Sequence, residues 1–252
     1  MASLLQLIDH LDALLEPSRF ADYGPNGLQV PGREEVEHVV TGVSANVALF
    51  ERAAELGADL VLVHHGLFWG GPAGPIDRAL HRRLKVLFDH DMALAAYHLP
   101  LDAHPAVGNN ALLAAGLGTA STEPFAEHRG APIGVVARFD PPVGRDELVR
   151  RVAELTEREP LVFPFGPDPV AAMGIVSGSA ADDVEEAIER GLDAFLTGEP
   201  AERVMSIAQE GGVTFVAAGH YATETFGVRA LGELLAERFG VRHTFVDVPN
   251  PV

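Results

Sequence analysis

Three stretches of this 252-residue chain end an apolar run in groups that bind cations. The run Leu60 to Val63 closes on two adjacent imidazoles, His64 and His65; His98 follows the apolar segment Met92 to Tyr97, with Asp102 four residues on; His220 follows Val213 to Gly219, with Glu224 four residues on. Successive residues of a strand face opposite ways, so the His64-His65 doublet suits two neighbouring cations better than one. Each stretch alone also reads blandly, as loop histidines after a core strand or as a helix cap with a surface acid. Together they place imidazole and carboxylate at three strand ends, a donor mixture suited to Zn, Mn, Fe or Ni. A bridging carboxylate lets two such ions stand about 3.5 to 4 Å apart.

Other chemistries are excluded by what the chain lacks. It has no cysteine, hence no thiolate zinc site, iron–sulfur cluster, disulfide or thiol nucleophile. The one lysine, Lys85, sits in an ordinary amphipathic helix pattern. There is no phosphate loop, no dinucleotide fingerprint and no serine elbow, and Val176-Ser177-Gly178-Ser179 reads as a glycine turn after a strand. Eighteen basic residues against 36 acidic ones leave a net charge of -18, a field that disfavours nucleic acid and anionic lipid. A nucleotide could still bind, because a bound metal supplies positive charge where the protein does not. No basic leader and no long apolar run stand in the sequence, so the expected location is the cytoplasm, with no membrane partner. The other histidines, His10, His38, His81, His90, His104, His128 and His243, read as solvated.

These groups must be positioned by alternating strands and helices. Val36 to Val43, Ala45 to Leu56 and Asp59 to His65 make a βαβ unit, which implies parallel strands with functional groups at their carboxyl ends. A helix over Ser3 to Leu15, a turn-bearing loop over Ala21 to Gly32, a helix from Ile76 to Asp89 and a helix at Asn109 to Ala115 complete the first part. Pro124 to Pro132 is a composition break. Beyond it the alternation resumes with strands at Ile133 to Phe139, Met173 to Ser177, Ala194 to Thr197 and Val213 to Ala218. Helices at Arg145 to Thr156, Asp182 to Glu189, Glu202 to Gln209 and Thr223 to Phe239 lie between and after them. The pattern predicts an α/β fold in two lobes, 1–126 and 127–252.

The residues also resemble a known family, the dinuclear-metal hexamers labelled GTP cyclohydrolase 1 type 2, or Nif-three-like proteins. The resemblance rests on Tyr23 to Val30, His64 to Trp69, Tyr97 to Asp102 with Gly108 to Asn110, Thr197 to Glu199, and Ala218 to Glu224, in the family's order across essentially the whole chain. It implies that His64, His65, Asp102, His220 and Glu224 hold two divalent metal ions, with Asp102 or Glu224 bridging. His98 would stand beside them to orient or carry a proton. It further implies two interlinked lobes with the site in the cleft between them, the second lobe contributing His220 and Glu224, and a homohexamer. The implied activity is hydrolytic, possible substrates including the purine ring of a nucleotide. The alternative is a hexameric metal-binding scaffold without turnover. Three positions depart from the usual pattern: Gly66 where many members carry proline after the doublet, Leu99-Pro100 where many carry Thr-Asn, and Glu199 where others carry Asp followed by His.

Overall fold

Strand propensity and parallel pairing build the first sheet around the apolar run that precedes the histidine doublet. In the computed structural model, which describes residues 1–70 and 75–252, strand Leu60–His65 lies between His38–Ser44 and Ala93–Ala96, parallel to both. Arg242–Phe245 adds a further parallel edge beside His38–Ser44, and Gly27–Val30 closes the opposite edge, antiparallel to Ala93–Ala96. Parallel strands are covered on both faces, which is why Leu60 to Val63 and Ala93 to Ala96 are uniformly apolar and buried. One face packs Val40, Val61, Val63 and Leu94 against Leu49, Phe50 and Ala53 of helix Val47–Glu55 and Leu87 of helix Arg78–Asp89. Asn46 caps the first of these helices by accepting from Leu49 N, and Asp77 caps the second by accepting from Leu80 N.

The second sheet has six strands in the order Ser121–His128, Ala131–Val143, Val170–Ile175, Ala194–Thr197, Thr214–Ala217, Leu161–Pro164. Its three central strands are parallel, and the flanking pairings are antiparallel. Leu113 of helix Asn109–Gly116 and Leu117 just after it, together with Leu148 and Val152 of helix Arg145–Thr156, pack on Met173, Ile175, Leu196 and Val216. The chain is therefore α/β, as its alternation predicts.

Two compact units result, one of residues 1–101 with 227–249, the other of 102–226 with 250–252. This division differs from the sequential lobes 1–126 and 127–252. The physical reason lies in pairing: Ser121–His128 is a hairpin partner of Ala131–Val143, so the composition break at Pro124 to Pro132 is the inside of a sheet edge. Arg242–Phe245 pairs with His38–Ser44, which returns the C-terminal segment to the first unit. The Ala21 to Gly32 loop likewise contains the short strand Gly27–Val30. The expected helix over Ile76 to Asp89 begins at Arg78. No helix of the described residues is long and apolar enough to cross a membrane.

Two histidines expected in solvent are tied into the first sheet. His38 is only 2% exposed, its Nε2 meets Thr244 Oγ1 at 2.9 Å, and Arg242 donates to its Nδ1 at 2.9 Å. His243 Nε2 meets Thr41 Oγ1 at 2.8 Å. Burial first, and the neighbouring Arg242 second, hold the His38 imidazolium below its ordinary range; burial does the same for His243. The unfolded chain therefore takes up protons near pH 6.5 that the folded sheet edge resists. Stability from these groups is complete above that pH and is lost as the pH falls below it. Between pH 7 and pH 5 these two groups should lower the thermal midpoint by about 2–4 °C relative to a chain without them, the change that about 1 kcal/mol makes in a chain of this size. His38→Gln should flatten that limb in a melting series; an equal slope in parent and variant would contradict the assignment.

Candidate metal centre

In the first unit the site is built at the carboxyl end of strand Leu60–His65. His64 is fully buried and its Nδ1 donates to the carbonyl of Tyr97 at 2.9 Å, which puts the imidazole lone pair on Nε2, the tautomer a cation requires. Tyr97 is itself fixed, its hydroxyl donating to Asp12 Oδ1 at 2.6 Å. His65 Nδ1 meets Ser44 Oγ at 3.0 Å, across the register pair of the adjacent strand. The rings of His64 and His65 are 4.7 Å apart, and one nitrogen from each of His64, His65 and His98 lies within 4.8 Å of the others. The end of the strand thus brings the doublet together rather than onto opposite faces.

His98 is held as firmly as the doublet. Its Nδ1 pairs with Asp22 Oδ1 at 2.7 Å, and its backbone N–H donates to Asn26 Oδ1 at 2.7 Å. Asp22 also accepts from Tyr23 N at 2.6 Å, Asn26 Nδ2 at 2.8 Å and Leu99 N at 3.0 Å. Burial alone would raise the Asp22 carboxyl; the bonds from His98, Asn26 and Tyr23 reverse this and hold it below its ordinary value, so it stays ionised. His98 therefore presents Nε2, either as a third imidazole donor or as a proton carrier oriented by a carboxylate. Gly66 is the point where the chain passes Gln29: a Cβ there would come within 2.3 Å of Gln29 Nε2, while Gln29 Oε1 accepts from Leu67 N at 2.8 Å.

The second unit gathers the carboxylates. Asp102 is 6% exposed and its Oδ1 accepts from Asn109 Nδ2 at 2.8 Å and Ser177 Oγ at 3.0 Å. Asn109 opens helix Asn109–Gly116, so the helix start aims the amide at the acid. Glu224 is 3% exposed, and carboxylate oxygens of Asp102 and Glu224 lie within 4.8 Å of one another. His220 Nε2 is 3.2 Å from Glu224 Oε2, and its Nδ1 is hydrogen-bonded to Glu199. Burial pulls the His220 imidazolium down, but Glu224 and Glu199 more than reverse this and push it up to about 9.

Gly178 makes room for this arrangement. It follows strand Val170–Ile175 with φ +69°, and its carbonyl accepts from Gly198 N at 2.9 Å and Glu199 N at 3.0 Å. A Cβ there would stand 2.3 Å from Glu224 Oε1. Gly178→Ala should therefore displace the Glu224 carboxylate and lower stability by more than about 1 kcal/mol, since a left-handed backbone and a collision coincide. Thermal unfolding and metal content measured on the same sample check this; a variant equal to the parent in both would refute it.

The structure thus brings His64, His65 and His98 together in one unit, and Asp102, His220 and Glu224 in the other. Asp22, Asn26, Asn109, Ser177, Gly178 and Glu199 complete the two groups, and none of them was singled out as a functional residue in its own right by spacing. Asp22 was the hardest to see, being separated from His98 by most of a sheet. Nitrogen and oxygen donors, with no sulfur, fit divalent first-row metals, and a close pair of buried carboxylates fits a cation better than it fits water.

An α/β chain with clustered imidazoles and buried carboxylates belongs among candidate metalloproteins. The Duf34/NIF3 (NGG1p interacting factor 3) family matches residues 2–251, and the chain belongs to it. A Pseudomonas aeruginosa protein called GTP cyclohydrolase 1 type 2 homolog is 43% identical over 249 residues, covering 99% of this chain and 98% of the relative. One of the same name from Escherichia coli is 44% identical over 242 residues, 94% of each. Among solved structures, TTHA1606 from Thermus thermophilus is 40% identical with a TM-score of 0.91 over the whole of both chains. The family resemblance read from the motifs is therefore upheld.

Proposed function

We propose that the two donor groups act as one dinuclear metal centre, and that the protein is a metal-dependent hydrolase. His64, His65, Asp102, His220 and Glu224 would hold two divalent ions, with Asp102 or Glu224 bridging. The observation that carries this reading is the approach of Asp102 and Glu224: two buried carboxylates so close repel strongly unless a proton or a cation lies with them. The supporting fact is membership of a family whose relatives are named for a cyclohydrolase.

Two ions in such a site supply Lewis acidity and an acidified water. The protein's own groups do the rest. His64 is kept in the ligating tautomer by Tyr97, Asp102 is oriented by Asn109 and Ser177, and His98, held by Asp22, gives or takes a proton at Nε2. The substrate class we assign is a purine nucleotide opened by water at its ring, its phosphates meeting the metal charge rather than a basic clamp. Turnover by protein loaded with Mn or Zn, screened over nucleotides, phosphoesters and small amides beside an Asp102→Asn control, tests the reading. Hydrolysis of at least one class, lost in the control, is expected. Full metal loading with no turnover of any class would leave the scaffold reading in its place.

The same reading includes assembly as a closed ring of six, as the family resemblance implies, closed symmetry being the usual way for identical chains to bury self-complementary surface. Light scattering in dilute solution should give about six times 26.8 kDa. A clean monomer at micromolar concentration would reject the ring.

A further inference from the structure

Two large aromatic side chains sit beside the histidine group and stay in water. Trp69 is 47% exposed and Tyr23 is 43% exposed. Exposed aromatic rings grouped at one site, unlike single scattered ones, mark a surface that something covers in use, and both rings border the candidate centre. Trp69 lies 5.2 Å from His98 at 87° and 5.8 Å from His65 at 57°; Tyr23 lies 6.1 Å from His98 at 67°. None of these contacts is a parallel stack, so the histidines meet the aromatic rings without the parallel overlap that a flat ligand would make.

The pair is also anchored. Trp69 Nε1 donates to Gly66 O at 3.1 Å, tying the indole to the residue directly after the doublet. Gly70 N donates to Tyr23 O at 2.8 Å, which clasps the two segments together. Gly24 is required by that clasp: a Cβ there would stand 2.4 Å from Phe68 O and 3.6 Å from Trp69 Cε3. It is the Phe68 carbonyl that demands the glycine, so the Tyr23 segment lies directly against the segment that carries Trp69.

We propose that Trp69 and Tyr23 form a stacking floor for a planar heteroaromatic ring, presenting the ring of a purine-class substrate edge-on to the imidazoles of His65 and His98. The proposal rests on the dinuclear hydrolase reading for what happens to the ring, but not for its binding. Stacking suits a purine because its π-face is large and needs no hydrogen-bond code, and because an acidic chain gains little from gripping phosphate directly.

Trp69 is the only tryptophan of the chain, so its emission reports on this floor without interference. Guanosine and GTP, added to metal-free and to zinc-loaded protein, should quench it saturably, whereas ribose 5-phosphate and inorganic triphosphate should leave the metal-free protein unquenched. By calorimetry, Trp69→Ala should weaken guanosine binding about tenfold with zinc content unchanged, and Trp69→Phe should recover most of the loss. Equal guanosine affinity in parent and Trp69→Ala, or quenching of the metal-free protein by inorganic triphosphate as strong as by GTP, would overturn the proposal. Should zinc fail to bind while guanosine still quenches, the metal reading falls and the stacking floor stands. Zinc bound as expected, with no effect of guanosine, removes the floor alone.

Discussion

Asp102→Asn should retain at most one divalent ion per chain and unfold at nearly the temperature of the parent. Asparagine can keep both hydrogen bonds by turning its carbonyl oxygen to Asn109 and Ser177, which puts a donor-only NH2 where the other carboxylate oxygen stood. The variant loses the negative charge and the bridging oxygen that hold two dications together, yet it opens no cavity. In metal-free protein it even relieves the repulsion from Glu224, whose carboxylate lies within 4.8 Å. Bound metal by elemental analysis and the thermal midpoint of the apo form decide it: two ions retained, or a large loss of stability, would contradict the role assigned to Asp102.

The second large effect is on rate. His98→Ala removes the imidazole that Asp22 orients, and Asp22→Asn leaves the ring but offers Nδ1 an amide in place of an ionised carboxylate. If His98 carries a proton rather than an ion, His98→Ala should keep the metal stoichiometry and lose about 100-fold or more in kcat, within the range of general acid–base catalysis. Asp22→Asn should lose about 10- to 100-fold, as changes that act through an orienting partner usually do. The loss should fall on kcat more than on KM and shift the pH profile. His98→Ala protein that binds one ion fewer would instead make His98 a ligand, which its closeness to the His64 and His65 nitrogens also permits.

The strong elements were legible because their own residues determine them. Helix Arg145–Thr156 and strand Ala194–Thr197 fall where periodicity puts them, and His64, His65, His98, His220 and Glu224 could be singled out as candidates because parallel strands deliver side chains at their carboxyl ends. What was hidden is what depends on a partner. Gly27–Val30, Leu161–Pro164 and Arg242–Phe245 are four-residue edge strands whose own pattern is weak and whose pairing alone makes them strands. His38 and His243 looked solvated because the threonines that bond them lie far away in the chain, on neighbouring strands. Asp22 looked like loop chemistry because its hydrogen bond to His98 spans 76 positions. Ser177 and Gly178 looked like a plain glycine turn, and they are one, but the turn is also the wall against which Asp102 and Glu224 are set. Glu199, a departure from the usual family pattern, takes the Nδ1 of His220 and so keeps an acidic partner there.

The count of ions per chain tests the dinuclear centre most directly. Protein purified gently, or stripped and reloaded with excess Zn or Mn and then desalted, should carry two ions per chain by elemental analysis, falling to at most one in Asp102→Asn. A reproducible ceiling of one ion per chain in the parent, with metal supplied in excess, would contradict it.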